Sequence, residues 1–190
     1  AMTNQNPEQI ARDNIDKQLK ACGWIIQNKK AINLSASLGV AVTEYTTEVG
    51  PADYVLFVNQ KPVGIIEAKR EEEGVKFSAH ESQVEEYAQA KLKHIDNEPL
   101  PFLYLSTGII TKFADARDPK PRYREVFTFH RPETLAKWIR KGESIRTRMA
   151  SGFPTLDHTG LRDCQVDAIN NLEASFKTNR PKALVQMATG

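Results

Sequence analysis

Two apolar segments joined by a short turn constrain this chain more than any other feature. Residues 50–58 are rich in Val, Leu, Phe and Tyr, and residues 63–69 are rich in Val and Ile. Residues 59–62 between them have the composition of a tight turn. The pattern predicts two neighbouring strands. Because side chains alternate between the two faces of a strand, Glu67 and Lys69 are predicted to lie on the same face.

Asp53 begins the first of these strands, where a hairpin register can bring it beside Glu67. Two carboxylates about 4 Å apart repel by ~1 kcal/mol in water and by ~4 kcal/mol near a protein surface. A divalent cation between them converts this repulsion into coordination, and oxygen ligands suit Mg²⁺. The pattern therefore predicts a metal site. The alternative is an ordinary salt-bridge network of Asp53, Glu67 and Lys69 on a sheet edge.

The residues of this hairpin resemble a known nuclease signature. Pro51, Asp53 and the run Glu67-Ala68-Lys69 are similar to the signature of the PD-(D/E)xK superfamily, although one extra residue separates the Pro from the Asp, as in many members. The resemblance implies that Asp53, Glu67 and the carbonyl of Ala68 hold Mg²⁺. It also implies that Lys69 orients the attacking water or stabilises the transition state.

Composition places few further limits on function. The chain has 190 residues, of which 40% are hydrophobic and 26% charged, as in soluble globular proteins. It contains no apolar run near the ~20 residues that span a bilayer and no signal-peptide pattern. Cys22 and Cys164 lie far apart and outside any metal-binding spacing, which favours a reduced, cytoplasmic compartment. The net charge of +2 does not by itself indicate nucleic acid.

The order of predicted elements indicates an α/β fold with a mixed central sheet flanked by helices. Asn6 and Pro7 start the first helix, and Gly23 can end it. A short strand within residues 24–38 is also expected. The remaining elements are strands over 40–48, 50–58, 63–69, 101–106 and 125–129, and helices over 82–95 and 131–142. These elements form the predicted nuclease domain, residues 3–145.

The last third of the chain has a different pattern. Residues 143–158 are irregular, and we predict a linker over 146–157. Residues 158–190 are predicted as the truncated start of a second domain, with a helix over 161–176 and a strand over 182–187. No internal repeat is present in the sequence.

A second motif follows the Glu67–Lys69 strand. Gln83 and Tyr87 are four residues apart, and so lie on one face of a helix. A half-buried helix face is the usual explanation of such a pair taken alone. In this context the pair resembles the Gln-xxx-Tyr motif of RecB-like nucleases, which implies that both side chains position the DNA backbone.

A third motif lies at the carboxyl end. Ala188-Thr189-Gly190 follows a predicted strand and resembles the beginning of a Walker A loop. Upstream, Gln165 lies in a segment that resembles the Q motif of superfamily 2 helicases. The resemblance implies an adenine contact by Gln165 and the truncated start of a RecA-like ATPase domain.

The nuclease signature, followed by the first motifs of a helicase domain, resembles the amino-terminal part of the restriction, or motor, subunit of type I restriction-modification enzymes. Residues 127–138 also resemble the segment that closes its nuclease domain. The resemblance implies a prokaryotic, cytoplasmic, Mg²⁺-dependent endonuclease that cuts double-stranded DNA. It further implies ATP-driven translocation by the full-length motor, with methylation and specificity subunits as partners and no membrane contact.

Two alternatives remain open at the level of sequence: a non-catalytic DNA-binding or assembly module with this fold, and a stand-alone recombination or repair nuclease. Glu8 and Glu44 are further candidates for an outer acidic metal ligand.

Overall fold

The fold is given by a computed structural model that describes residues 6–72, 99–178, 180 and 182–186. The chain divides into two units. The first comprises the residues up to Ala116 together with Pro121–Lys141, and the second comprises Arg117–Lys120 together with the residues from Gly142 onward.

The described part of the first unit is built on one seven-stranded sheet, whose spatial order follows the chain order. Two neighbouring pairs, β1–β2 and β4–β5, are parallel, and the other four are antiparallel. The strands are β1 (Ile25–Asn28), β2 (Gly39–Thr47), β3 (Gly50–Val58), β4 (Lys61–Ala68), β5 (Phe102–Ser106), β6 (Thr111–Asp115) and β7 (Arg124–Val126). The prediction of a mixed sheet with flanking helices is confirmed.

The first helix, α1 (Pro7–Ala21), begins and ends at the predicted residues. The Asn6 side chain accepts a hydrogen bond of 3.2 Å from the backbone N–H of Glu8, and Pro7 occupies the first helical position. Gly23 follows the helix with a φ of +91°, a conformation that glycine adopts without a steric penalty. A second helix of this unit, α2 (Pro132–Arg140), confirms the helix predicted from residue 131.

The β3–β4 hairpin has the predicted adjacency. Val58 pairs with Lys61, so Asn59 and Gln60 form a two-residue turn, and both have positive φ. At Gly64 the sheet is closely packed, because a Cβ there would lie 2.7 Å from the carbonyl oxygen of Phe102. Only glycine fits β4 against β5 at this point.

Apolar side chains cover both faces of the sheet. Ile66 belongs to a buried cluster that includes residues of α1 and α2, such as Leu19 and Leu135. Ile65 belongs to a separate cluster that includes Leu103 of β5. Neighbouring residues of β4 therefore point to opposite faces, as the period of two predicts. The hairpin is held from both sides, which fixes where its polar end lies.

In the described part of the first unit, the strand predictions fail in two places. Strand β6 was not expected, because its sequence, Thr-Lys-Phe-Ala-Asp, lacks a strong apolar run. The strand predicted over 125–129 is instead β7, Arg124–Val126, and Phe127 beyond it is fully exposed. The short strand expected within residues 24–38 is present as β1.

The described part of the second unit is helical. Helix α3 (Ile145–Ser151) overlaps the predicted linker over residues 146–157, whose sequence pattern is irregular. Ser144 caps this helix by accepting a 3.1 Å hydrogen bond from the Thr147 N–H. Helix α4 (Asp163–Lys177) matches the predicted helix over 161–176, with Val166 among its half-buried residues and none fully buried.

The strand predicted over 182–187 is not found. Residues 182–186 have no regular secondary structure, and Met187 lies outside the described residues. A strand needs a neighbouring strand to pair its backbone groups, and the described part of this unit contains none. In the described residues, no helix is long and apolar enough to cross a membrane.

Candidate active site

The β3–β4 hairpin brings Asp53 and Glu67 together. Tyr54 pairs with Ile66, so Asp53 and Glu67 each lie one residue farther toward the same end of the hairpin. On the other side of β4, Glu67 pairs with Leu105, and the Lys69 N–H donates a 2.8 Å hydrogen bond to the Ser106 carbonyl. Three adjacent strands therefore fix the backbone under both carboxylates.

The hydrogen bonds of this cluster engage both oxygens of Asp53. Its Oδ2 accepts a 2.8 Å bond from the backbone N–H of Ala68, and its Oδ1 accepts a bond from Nη2 of Arg12. Lys69 Nζ donates to Glu67 Oε1 at 3.3 Å. The other oxygen of that carboxylate, Oε2, is buried and has no hydrogen-bond partner.

Burial disfavours the charged forms of both acids. It is the largest cause of the raised pKa of Asp53, and the Ala68 N–H and the Arg12 guanidinium oppose the rise in part. For Glu67, burial and then repulsion by Asp53 raise the pKa to about 7, against a smaller opposing effect of Lys69. Glu67 therefore exchanges its proton near neutral pH, which is unusual for a carboxylic acid and typical of functional sites.

Arg12 is the one residue of this cluster that sequence reasoning missed. Its guanidinium contacts Asp53 and also lies 3.6 Å from Glu8 Oε1 and 3.5 Å from Glu44 Oε1. The spacing of Glu8 and Arg12 on a helix could have indicated their pairing. Nothing in the sequence indicates that this helix turn faces Asp53.

Glu44 has an unusual backbone as well as a charged partner. Its φ is +53°, although it lies within β2 between two residues that pair with β3, Thr43 and Tyr45. The left-handed region costs a non-glycine residue roughly 1–2 kcal/mol. Such a conformation persists only where its surroundings impose it, and it is frequent near functional sites.

The donor atoms fit a hard divalent cation. Asp53 and Glu67 supply carboxylate oxygens, and the buried Oε2 of Glu67 accepts no hydrogen bond from the described residues. The carbonyl of Ala68 lies between Glu67 and Lys69 in the chain. No group of three or more His, Cys, Asp or Glu side chains suited to a metal occurs among the described residues. Mg²⁺ keeps several waters and is bound by one or two carboxylates, a number that Asp53 and Glu67 can supply.

Of the other predicted motif residues, the structure describes only Gln165. Gln83 and Tyr87 lie outside the described residues, as do Ala188, Thr189 and Gly190. Gln165 lies in the second unit, where its Oε1 accepts a 2.9 Å hydrogen bond from the Arg162 N–H at the start of α4. That bond caps a helix, and an adenine contact by Gln165 stays a prediction.

The chain is similar in sequence to known proteins. Residues 26–103, which include Asp53, Glu67 and Lys69, match the family described as the second domain of the type I restriction enzyme EcoKI endonuclease subunit. The chain is also 26% identical, over 233 aligned residues, to the type I restriction enzyme EcoKI endonuclease subunit of Escherichia coli (strain K12). That alignment covers 96% of this chain and 20% of the relative, so the chain spans about a fifth of the relative's length.

A solved structure shares the fold. It is a fragment assigned to the HsdR subunit of a type I restriction enzyme from Vibrio vulnificus YJ016, with a TM-score of 0.50 and 20% sequence identity. The similarity covers 100% of this chain and 36% of the solved chain.

Proposed function

We propose that this chain is the part of a type I restriction endonuclease subunit that cleaves double-stranded DNA with Mg²⁺, because residues 26–103 match the family described as the second domain of such a subunit. The observation that carries the proposal is the convergence of Asp53, Glu67 and Lys69 around one buried carboxylate oxygen without a partner. A structural salt bridge pairs one carboxylate with one cation, whereas here two buried carboxylates lie together and repulsion by Asp53 helps to raise the pKa of Glu67.

Each residue of the hairpin end has a distinct role in this proposal. Asp53 and Glu67 hold the cation with the carbonyl of Ala68. When bound, the cation lowers the pKa of a water and neutralises charge on the phosphate. The Ala68 N–H fixes the orientation of Asp53 through its Oδ2. Lys69, whose ammonium is 3.3 Å from Glu67 Oε1, orients the water or stabilises charge that develops on the phosphate.

Two further side chains are assigned to the DNA backbone on the resemblance alone. Gln83 and Tyr87 follow β4 in the sequence, and an amide and a phenol can each hydrogen-bond a phosphate oxygen. Their contribution is positioning rather than chemistry.

The wider activity belongs to the full-length subunit. We propose that there the chain is followed by a RecA-like motor, in which Gln165 contacts adenine and Ala188, Thr189 and Gly190 begin the phosphate loop. The motor would translocate DNA with ATP in a cytoplasmic complex with methylation and specificity subunits. The similarity to a type I restriction endonuclease subunit supports this setting.

Nicking of supercoiled plasmid tests the nuclease assignment. The wild-type chain, Asp53→Asn and Glu67→Gln are compared with Mg²⁺ and with Mn²⁺, and Glu48→Gln serves as a matched control because Glu48 is an exposed carboxylate in the β2–β3 turn. We expect nicking by the wild type and the control and none by the other two. Calorimetric titration with Mn²⁺ on the same proteins separates the remaining outcomes. Metal binding without nicking indicates a non-catalytic module, and equal metal binding by Asp53→Asn overturns the site.

A further inference from the structure

Arg12 holds the same carboxylate that the proposed metal requires. Its Nη2 donates to Oδ1 of Asp53, while the Ala68 N–H occupies Oδ2. An arginine side chain stays protonated in proteins and offers only donors. A divalent cation that approached Asp53 would therefore meet a fixed positive charge beside its ligand, and like charges at such short range repel strongly.

The same guanidinium has two other carboxylates within reach. Glu8 Oε1 is 3.6 Å from Nη2, and Glu44 Oε1 is 3.5 Å from Nη1. Both acids are more exposed than Asp53, with side-chain exposures of 42% and 50% against 12%. Both carboxylates are close enough to accept hydrogen bonds from the guanidinium. Both side chains are also exposed enough to change conformation when the guanidinium moves.

The helix that carries Arg12 is fixed, so only its side chain has freedom to move. Ile15 and Leu19 of α1 are fully buried against the sheet. Tyr54, next to Asp53 on β3, donates a 2.7 Å hydrogen bond from its hydroxyl to Asp16 of the same helix. A shift of the guanidinium from Asp53 to Glu8 and Glu44 requires side-chain rotation but no movement of α1.

We propose that Arg12 is a positioning residue that competes with the divalent cation for Asp53, and that metal binding transfers its guanidinium to Glu8 and Glu44. The inference rests on the proposed nuclease function. Arg12 holds the Asp53 carboxylate in place before the metal arrives. It also lowers the metal affinity of the site, because the ion pair with Asp53 must be broken first. Glu8 and Glu44 then act as acceptors for Arg12 and not as metal ligands.

The test is the affinity for Mn²⁺, measured by calorimetry on metal-free chain. Arg12→Gln removes the charge and keeps a side chain of similar reach, and we expect it to bind Mn²⁺ about tenfold more tightly than the wild type, a difference of ~1.4 kcal/mol. Lys20→Gln removes the same charge from an exposed position on α1 and should stay within about twofold. Arg12→Lys keeps the charge and should resemble the wild type. Unchanged or weaker binding by Arg12→Gln, or equal tightening by Arg12→Lys, overturns the proposal.

Glu44→Gln provides a second measurement, and Arg12→Met, which is uncharged and of similar length, replaces Arg12→Gln in both measurements if Arg12→Gln does not fold. Without this acceptor Arg12 stays on Asp53, so we expect weaker Mn²⁺ binding. The loss should be smaller in the Arg12→Gln background, which a double-mutant cycle detects. An equal loss in both backgrounds means that Glu44 acts on the metal directly and contradicts the transfer.

Asp53→Asn separates failure of this inference from failure of the nuclease assignment. If the wild type binds no Mn²⁺, or if Asp53→Asn binds it as well as the wild type does, the metal site itself is wrong. If Asp53→Asn abolishes binding while Arg12→Gln changes nothing, the site stands and the role of Arg12 is rejected.

Discussion

Glu67 and His130 are two ionisable side chains packed into the first unit, and burial shifts the pKa of each toward its neutral form. The surroundings of His130 suit a neutral ring. Its Nδ1 is 2.7 Å from the Tyr104 hydroxyl, and the rings of Phe113 and Trp138 lie 4.6 and 4.8 Å away, centroid to centroid. These three neighbours of the ring are one hydrogen-bond partner and two apolar surfaces.

The surroundings of Glu67 are of the opposite kind. A second carboxylate, Asp53, lies beside it, and its buried Oε2 has no partner. Buried polar groups in folded proteins are nearly always paired, and each exception calls for a reason. The comparison teaches that the aromatic cluster around His130 serves stability, whereas the hairpin end lowers stability in a way that a bound cation would reverse.

The largest expected effect separates chemistry from binding within the hairpin end. Lys69→Ala should reduce DNA cleavage by about 10²–10³-fold, the loss typical of one electrostatic stabiliser. Mg²⁺ affinity should be equal or slightly higher, because a positive charge next to two acids is removed. Cleavage is measured by plasmid nicking and affinity by calorimetry.

Lys69→Arg tests the geometry of that ammonium. A planar guanidinium places its donors differently, so cleavage should be restored only in part. If Lys69→Ala loses metal as severely as Asp53→Ala, Lys69 holds the site together and has no separate catalytic role.

The second prediction concerns stability and pH at Glu67. Its pKa is raised to about 7 in the folded chain, so the folded state binds more protons than the unfolded state between about pH 4.5 and 7. Stability contributed by the protonated acid is therefore present at low pH and is lost as pH rises through 7. Glu67→Gln mimics the protonated form, and without metal it should be more stable than the wild type at pH 8 by on the order of 2 kcal/mol.

Urea denaturation at pH 4 and at pH 8 checks this prediction. The two proteins should have nearly equal stability at pH 4, and Mg²⁺ at pH 8 should stabilise only the wild type. A Glu67→Gln chain that is less stable at pH 8 would mean that Glu67 is a satisfied structural residue, like His130.

How much of this arrangement the sequence could predict depends on how local each contact is. Asp53 and Glu67 belong to one hairpin, so turn composition and a period of two were enough to place them together. Arg12 is 41 residues from Asp53, and the packing of α1 that brings it there depends on contacts that span the whole sheet. The sequence alone therefore could not predict that Arg12 contacts Asp53.

The same rule explains the fold. Strands β2 to β5 and helices α1, α2 and α4 were predicted close to their observed bounds, whereas α3, which Ser144 caps, lies in the stretch predicted as irregular. Strand β6 was missed because Lys112 and Asp115 interrupt its pattern, and its place in the sheet comes from pairing with β5. The strand predicted over 182–187 has the apolar run that β6 lacks, but the described residues of the second unit contain no strand that could pair with it.

The third prediction tests the aromatic cluster. Tyr104→Phe removes the hydroxyl that pairs with His130 Nδ1 and should destabilise the chain by about 1.5 kcal/mol, because a buried polar atom loses its partner. The lowered pKa of His130 also predicts that stability falls as pH drops below about 6.5, opposite to the effect of Glu67.

Urea denaturation at pH 7 and at pH 5.5 measures both effects. Mn²⁺ affinity should not change in Tyr104→Phe. A change in metal affinity would show that the two regions are coupled and that the comparison between them does not hold.

The smallest expected effect lies at the opposite end of the same hairpin, in the turn between β3 and β4. Gln60 is exposed and has a φ of +66°, which costs a non-glycine residue roughly 1–2 kcal/mol. Gln60→Gly removes that cost but adds about 0.4–1 kcal/mol of backbone entropy to the unfolded chain. The net result should be a gain of about 0.5 kcal/mol in the free energy of unfolding, measured by urea denaturation.

Asn59→Gly is the matched control, because asparagine already tolerates its φ of +50° and little strain is relieved. Mn²⁺ affinity should be the same in both variants, since the turn is at the far end of β3 and β4 from Asp53. A loss of stability in Gln60→Gly would show that the Gln60 side chain contributes a contact that outweighs the strain of its backbone.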